Sequence, residues 1–489
     1  MPIPMQAQNL LILMSDEHNA RMMGCAGHDL VQTPNLDALA ARGTRFAAAY
    51  TNCPICVPSR ASFATGRYVH QIGYWDNALA YDGHTRGWGH RLQAAGVGAE
   101  SIGKLHYRNA EDPTGFDVQH IPMHIKDGIG MVQGSIRGQF PDFVPPAGGG
   151  APIIAQNAAA GETAYIQYDR KIAERACDWL KEAGRGSGDK PWVLFVSFVS
   201  PHYPLVVPEE YFDLYPIADM PGAKLDPEDG FDPHPWSARL SKGTAGLSRD
   251  QKRRALAAYF GLCTFVDDQI GRVLGALEGA GLGGDTRIIY TSDHGESAGS
   301  RGMWGKSVLY EEAAGIPLII AGDGVAGGTV CATPVSLVDA YPAILQSVGL
   351  KALDGLPGRS LFEIAAEAED AARPVFSEYH AMGSASGAYM VRQGRYKYIH
   401  YVGFPPELFD MIDDPEETKD LAADPAFAST LADFEAKLRA ILDPIATDAR
   451  AKADQKALVE RHGGPEAVTR RAAGAKNFTE VPPEILSQL

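Results

Sequence analysis

Apolar-rich runs of strand length recur along the chain within residues 9–15, 191–199, 286–292 and 316–321, each bounded by polar or turn-forming residues. Continuous rather than alternating apolarity is the pattern of parallel strands covered on both faces. Shorter extended runs fall at 46–50 and 97–102. Between them the period changes to that of helices. Residues 33–43 open on Thr33 as N-cap with Pro34 at the first helical position and stop at Gly43; further helices are expected at 87–96 and 164–183. The longest covers 248–279, with apolar positions at Leu256, Tyr259, Phe260, Cys263, Val266, Ile270, Val273, Leu274 and Leu277, and a capping box formed by Ser248 and Gln251. Strands alternating with amphipathic helices predict an α/β fold whose large, mostly parallel, doubly wound sheet is flanked by helices.

The pattern shifts near residues 367–373. Short strands follow at 374–377, 388–392 and 396–401, and then the segment Glu407-Leu-Phe-Asp410. The chain therefore divides into a main domain over 1–370, a smaller α+β unit over 371–442 and a tail over 443–489. The tail mixes charged and Ala-rich stretches with no core of its own. It reads as an arm packing on a neighbouring subunit of a homo-oligomer, with low-complexity disorder as the alternative. Residues 108–163, rich in Gly, Pro and Asp, read as an irregular insertion forming a lid or rim.

Composition narrows the class. The 489 residues are 45% hydrophobic and 21% charged, ordinary for a globular enzyme. The net charge of −16 argues against a nucleic-acid binder. The N-terminus lacks the basic and long apolar regions of a signal peptide, and no run could span a bilayer. Six scattered cysteines are no disulfide framework. A cytoplasmic protein without a membrane partner is the expectation.

Chemistry-bearing residues follow the apolar runs. Asp16-Glu17-His18 follows the first, Lys104-Leu105-His106 the strand at 97–102, His202 the run at 191–199 and Asp293-His294 the run at 286–292. In open α/β sheets such carboxyl ends converge on one crevice. Taken alone, Asp16 is as readily a turn residue. Strand alternation would put Lys104 and His106 on one side, and Asp-His is a divalent-metal half-site when another carboxylate converges on it. The segment Cys53-Pro-Ile-Cys56-Val-Pro58-Ser59-Arg60 reads as a turn entering a helix near Pro58, so that Cys56 sits where the helix N-terminus favours negative charge. Cys-x-x-Cys there could be a thiol-disulfide redox pair.

The same residues, Cys56-x-Pro58-Ser59-Arg60 followed by Thr65-Gly66-Arg67-Tyr68, resemble the signature of type I sulfatases, within the alkaline phosphatase superfamily. Thr33-Pro34-Asn35-Leu36-Asp37, Gly103-Lys104-Leu105-His106 (with Leu105 where that family has Trp), Pro201-His202-Tyr203-Pro204 and Gly305-Lys306 with Tyr310-Glu311-Glu312 are similar to further segments of the family. A redox domain would be smaller and would not need these other strand-end groups.

The resemblance implies a catalytic domain over 1–370 and a small antiparallel sheet with a helix over 371–442. It implies that a maturation enzyme oxidises Cys56 to formylglycine, whose hydrated aldehyde attacks the sulfur of a small-molecule sulfate ester. One divalent ion (Ca²⁺, Mn²⁺ or Mg²⁺) would be held by Asp16, residue 56, Asp293 and His294, with Glu17 left open. Arg60, Lys104 and Lys306 would neutralise developing charge, His202 would protonate the leaving oxygen, and His106 would be the base that releases sulfate. Related phosphonate monoester hydrolases suggest Asn77 as a substrate contact. Tyr74 and Trp75 could face the quaternary ammonium of choline sulfate, and an aryl sulfate is an equal candidate. Phosphonate monoester or phosphodiester hydrolysis by the same site is the nearest competitor, disfavoured by the Lys104–His106 pair. A non-catalytic anion-binding protein would keep Cys56 as a thiol.

Overall fold

The computed structural model describes residues 6–130, 132–137, 151–185, 190–241, 246–473 and 479–487. Its centre is an eight-stranded sheet. The strands, in chain order, are β1 (Asn9–Asp16), β2 (Gly43–Phe46), β3 (Gly98–Lys104), β4 (Val118–Met123), β5 (Trp192–Pro201), β6 (Thr286–Ser292), β7 (Leu318–Ala321) and β8 (Thr329–Cys331). They lie in the order β8-β2-β7-β6-β1-β5-β3-β4. All neighbouring pairs are parallel except those made by β7, which is antiparallel to both β6 and β2.

β1 shows why the continuous apolar run is needed. Leu10, Ile12 and Met14 enter the apolar cluster on one face of the sheet, and Leu11 and Leu13 enter the cluster on the other. Both faces are covered, so no position on this strand can be polar without a partner. Helices α2 (Cys56–Thr65), α3 (Trp88–Ala95) and α6 (Ala340–Ser347) supply Phe63, Leu92 and Ile344 to the first face. Helices α1 (Pro34–Ala41), α4 (Ala164–Ala183) and α5 (Arg249–Gly279) supply Leu36, Ile172 and Ile270 to the second. Each fully buried Leu, Ile or Phe contributes roughly 1.5–3 kcal/mol, so the doubly wound arrangement follows from the two-sided apolarity of its central strands.

Local signals differ in how they are used. The box at the start of α5 forms as expected, Ser248 Oγ accepting from Gln251 N at 3.2 Å and Gln251 Oε1 from Ser248 N at 2.8 Å. The start of α1 does not: Thr33 Oγ1 donates to Asp37 Oδ1, and the first amides of the helix, Asn35 N and Leu36 N, donate to the Asp267 carboxylate of α5. A carboxylate from another helix replaces the local cap because α5 crosses there. The insertion expected over 108–163 contains β4, the edge strand of the main sheet, so it is partly framework. Its Pro- and Gly-rich run at 145–150 lies outside the described residues.

A second sheet, β9 (Val375–Tyr379), β10 (Ala388–Gln393), β11 (Tyr396–Tyr401) and β12 (Glu407–Asp410), is antiparallel throughout. Helix α7 (Ala428–Ile441) packs on it through Phe434 and Leu438. The described part of the tail packs on its own chain. Helix α8 (Pro444–Arg461) lays Ala451 into a cluster with Trp75 and Tyr379, and Gln455 donates to Asp76 at 2.9 Å. Among the described residues no helix is long and apolar enough to cross a membrane.

Gly103 bears directly on the site. It has φ +96°, pairs with Ser197, and is followed by an irregularity in the β3–β4 register that turns Lys104. A Cβ there would stand 2.3 Å from Ser197 O and 2.7 Å from Ile172 Cδ1. Gly103→Ala should therefore cost about 3 kcal/mol of stability, read as a lowered urea midpoint; an unchanged midpoint would contradict this account of the strand end.

Candidate active site

Helix α2 begins at Cys56, two residues before Pro58, and every one of its residues is buried. An all-buried helix containing Ser59, Arg60, Ser62 and Thr65 is tenable only if each polar group is bonded. Ser59 Oγ donates to Asp293 O at 2.6 Å, Ser62 Oγ to Arg67 O at 2.6 Å and Thr65 Oγ1 to Ala61 O at 2.8 Å. Arg60 makes the longer reach. Its Nε donates to Asp293 Oδ2 (2.8 Å), Nη2 to Asp16 Oδ2 (3.0 Å), and Nη1 to Lys104 O (2.7 Å) and Ser197 Oγ (2.9 Å). One guanidinium thus ties the ends of β1, β3, β5 and β6 to the helix. Four of its five N–H donors are thus engaged by the framework of the site.

Lys104 Nζ reaches Asp16 Oδ2 at 2.7 Å. Burial opposes ionisation of Asp16, but Lys104, His202 and Arg60 hold it well below the usual carboxylate range. The other oxygens face inward. Cys56 Sγ lies 3.6 Å from Asp16 Oδ1 and 3.1 Å from His294 Nε2, which is 3.9 Å from Asp16 Oδ1 and 3.7 Å from Asp293 Oδ1. These four ligand atoms all lie within 4.8 Å of one another. His294 Nδ1 is 3.0 Å from Gly295 O, and because a carbonyl can only accept, Nδ1 carries the proton and Nε2 presents its lone pair to the cluster. Two carboxylate oxygens, an imidazole lone pair and a sulfur converging in a buried space form the donor set of a divalent cation. The residues fit the metal that the sequence implies.

The Cys56 thiol is not activated by its helix position. Burial, and then Asp16, push it far above the ordinary thiol range, outweighing Lys306 and Lys104. Cys53 is buried in the apolar cluster with Tyr50, Ile55 and Trp75, and both cysteines are free. Together with the fold, this removes the thiol-disulfide reading.

A second group borders the first. Glu17, at φ +68°, converges with Asp16 and His202, their ligand atoms within 4.8 Å of one another: its Oε2 lies 2.7 Å from Lys306 Nζ and 3.3 Å from His202 Nε2, while its N donates to Asp293 Oδ1 at 3.2 Å. Burial raises the Glu17 carboxyl well above its usual range despite Lys306. His202 stacks on Tyr203 at 4.1 Å, and Lys306 Nζ sits 4.9 Å from the centre of the same tyrosine ring. His106 does not share a strand face with Lys104. β3 ends at Lys104, and His106 stands at φ +57° with its N donating to Met123 O. It still reaches the site's field: burial, and then Lys104 and Arg60, keep its imidazole neutral.

Asn77 Oδ1 accepts from Val57 N at 3.1 Å, beside the start of α2. Two further expectations change. Trp75 donates to Asp454 Oδ2 at 2.8 Å and its face is covered by Arg450 at 4.9 Å, so it is closed to a quaternary ammonium. Tyr74 is buried, with its hydroxyl on Asp82. Sequence reasoning passed over Ser197, Tyr165, Tyr203 and Thr479. Only Tyr203, inside the Pro-His-x-Pro segment, carried a usable signal; the others owe their place to tertiary contact.

A strand-end crevice of a doubly wound sheet, holding a helix-borne cysteine among two carboxylates and a histidine, fits an ester hydrolase of the alkaline phosphatase superfamily. The chain belongs to the sulfatase family: the family described as Sulfatase matches residues 8–350. The C-terminal family of N-sulphoglucosamine sulphohydrolase matches residues 299–443. The chain is 31% identical over 436 residues to a choline-sulfatase of Rhizobium meliloti (strain 1021), covering 85% of this chain and 83% of that one. It is 28% identical over 464 residues to arylsulfatase K of Bos taurus, covering 89% and 82%. The phosphonate monoester hydrolase of Agrobacterium radiobacter shares the fold, with a TM-score of 0.71 and 24% identity over 91% of this chain and 96% of that one. The protein is a sulfuric ester hydrolase.

The metal reading has a direct check. Ca²⁺, Mn²⁺ or Mg²⁺ should raise the thermal midpoint of chelator-treated protein, about 2.7 kcal/mol being gained at a hundred times Kd, and Asp293→Asn should blunt the shift. A midpoint indifferent to all three ions would remove the cation from the site.

Proposed function

We propose that the protein hydrolyses small alkyl or aryl sulfate esters, choline sulfate among them, with a formylglycine made from Cys56 as nucleophile and a divalent ion beside it. The observation that carries this reading is the convergence of Asp16, Cys56, Asp293 and His294 in one buried cluster. A thiol so strongly disfavoured as a thiolate is a poor nucleophile as it stands, which supports its conversion by a maturation enzyme. When bound to these four residues, the metal ion would supply Lewis acidity toward a sulfuryl oxygen and toward the nucleophile.

The remaining steps belong to the chain's own groups. Lys104 and Lys306, whose ammonium groups lie on Asp16 and Glu17, flank the cluster and balance charge that builds on the sulfuryl oxygens. His202, its Nδ1 donating to Tyr203 O and its Nε2 facing Glu17, delivers a proton from Nε2 to the departing oxygen once the ring has taken up a second proton. His106 takes the proton whose removal releases sulfate. Arg60 acts indirectly, by holding the Asp16 and Asp293 carboxylates in place. The likeness to the choline-sulfatase supports a small alkyl sulfate, and the ammonium group would have to be recognised by surfaces other than Trp75.

Mass spectrometry of the Cys56 peptide from cells containing a formylglycine-generating enzyme should show the aldehyde, and Cys56→Ala should lower sulfate ester turnover by at least about a thousandfold while leaving the thermal midpoint near wild type. Full activity with an unmodified thiol would overturn the mechanism. A panel of sulfate, phosphate and phosphonate esters should rank sulfate esters first in kcat/KM; a phosphonate monoester ranking first would establish the competing activity. His202→Ala should slow alkyl sulfates much more than nitrophenyl sulfate, whose leaving group needs no proton, and an equal loss on both would remove its role as acid.

A further inference from the structure

The last described stretch of the chain, residues 479–487, returns to the site from the far end of the sequence. Val481 and Ile485 are buried in the cluster that covers the α4–α5 face of the main sheet, and Lys126 Nζ meets Glu480 Oε1 at 2.7 Å. These contacts set Thr479 against the active site. Its Oγ1 is 2.7 Å from His106 Nε2, and its carbonyl accepts from Tyr165 OH at 2.9 Å. The Tyr165 ring in turn lies 6.3 Å from that of His202.

His106 is 4% exposed, and its Nδ1 is buried with no hydrogen-bond partner among the described residues. An orphaned ring nitrogen in a buried polar site calls for an explanation. The backbone of His106 is already pinned by Met123 O. Among the described residues, the Thr479 hydroxyl is the one side-chain hydrogen bond that orients the ring.

We propose that Thr479 is the positioning residue of His106: its hydroxyl holds the Nε2 side of the ring and so fixes the direction in which the partnerless Nδ1 points. A hydroxyl can give or take the hydrogen bond, so it holds the ring in place whichever nitrogen carries the proton. Without the hydroxyl the ring loses that anchor, and the fraction of enzyme with His106 placed to act as a base falls. Thr479 touches neither substrate nor metal ligands. Its effect should fall on turnover, not on binding.

The inference rests on the reading of His106 as the base, and the test separates the two. Thr479→Val keeps the shape and removes the hydroxyl; Thr479→Ser keeps the hydroxyl. In the matured enzyme, Thr479→Val should lower kcat about tenfold with KM within about twofold, and Thr479→Ser should restore most of the loss. Independently of activity, the ring ¹⁵N signals of His106, identified by their loss in His106→Gln, should be sharp and single in wild type and in Thr479→Ser, and shifted or exchange-broadened in Thr479→Val, where the ring has lost its anchor. Unchanged kcat and unchanged signals in Thr479→Val would overturn the proposal, as would equal losses in both variants accompanied by equal falls in thermal midpoint. If wild-type enzyme turns over no sulfate ester at all, the functional reading fails and the nitrogen signals alone decide the role of Thr479. Should Thr479→Val not fold, Thr479→Ala against Thr479→Ser supplies the same comparison.

Discussion

Two buried carboxylates at neighbouring strand ends, Asp16 and Asp293, are the constraint around which this protein is arranged. Taking a carboxylate out of water costs several kcal/mol even after relaxation, and the cost is offset only when cations and hydrogen bonds converge on it. Here the offset comes from Arg60 of α2 and Lys104 of β3, within 3.0 Å. The same bonds that make the anions tolerable fasten the nucleophile helix to four strands. Packing and catalytic geometry are thus one set of contacts, and the placement of Cys56 follows from the charge that its neighbours have to neutralise.

A second buried ionic zone plays the corresponding part between the main sheet and the C-terminal unit. Lys397 of β11 is fully buried and meets Glu311 at 3.0 Å and Glu417 at 2.8 Å, while Arg301 pairs with Glu312 at 3.0 Å and stacks over Tyr310 at 4.0 Å. Arg301 also donates to the carbonyls of Glu416 and Glu417. Glu416 bonds Arg21, a few residues beyond Asp16. The C-terminal unit therefore buttresses the loops that follow β1 and β6, which explains why a family match spanning 299–443 runs across the junction of the two sheets. Breaking a pair in such a zone leaves an uncompensated buried charge, which makes the interface specific more than it makes it strong.

The active site divides into a rigid and a composite part. Asp16, Asp293, His294 and Cys56 come from strand ends and a helix start, fully buried and cross-bonded. Glu17, His202, Lys306, Tyr203 and Tyr165 come from the loops and the helix start beyond those ends, and they border the side from which a leaving group would depart. Glu17 and His106, both at positive φ, sit where the chain turns sharply out of the sheet. Strained backbone of this kind persists where surrounding contacts over-determine it, and here those contacts are the hydrogen bonds of Glu17 to Asp293 and of His106 to Met123.

The amino-acid sequence by itself determined the parallel core and the strand-end residues that gather in the buried Asp16–Cys56–Asp293–His294 cluster. Two-sided apolar runs can only be central strands, and short-range order places Asp16, Lys104, His202 and Asp293 at their carboxyl ends, where the topology must gather them. It also carried the capping of α5, a contact between residues three apart. What tertiary structure decided is every role that depends on which neighbour arrives from elsewhere. Arg60 is tied into the framework because two carboxylates claim it. Asn77 bonds the start of α2 and Trp75 became a packed side chain under Arg450, while α1 took its cap from Asp267. The tail, with no periodic core of its own, found one on the main sheet and brought Thr479 to His106. Local pattern records the cost of burying a strand or starting a helix; it holds no record of a partner 373 residues away, because that pairing exists only once the chain has closed on itself.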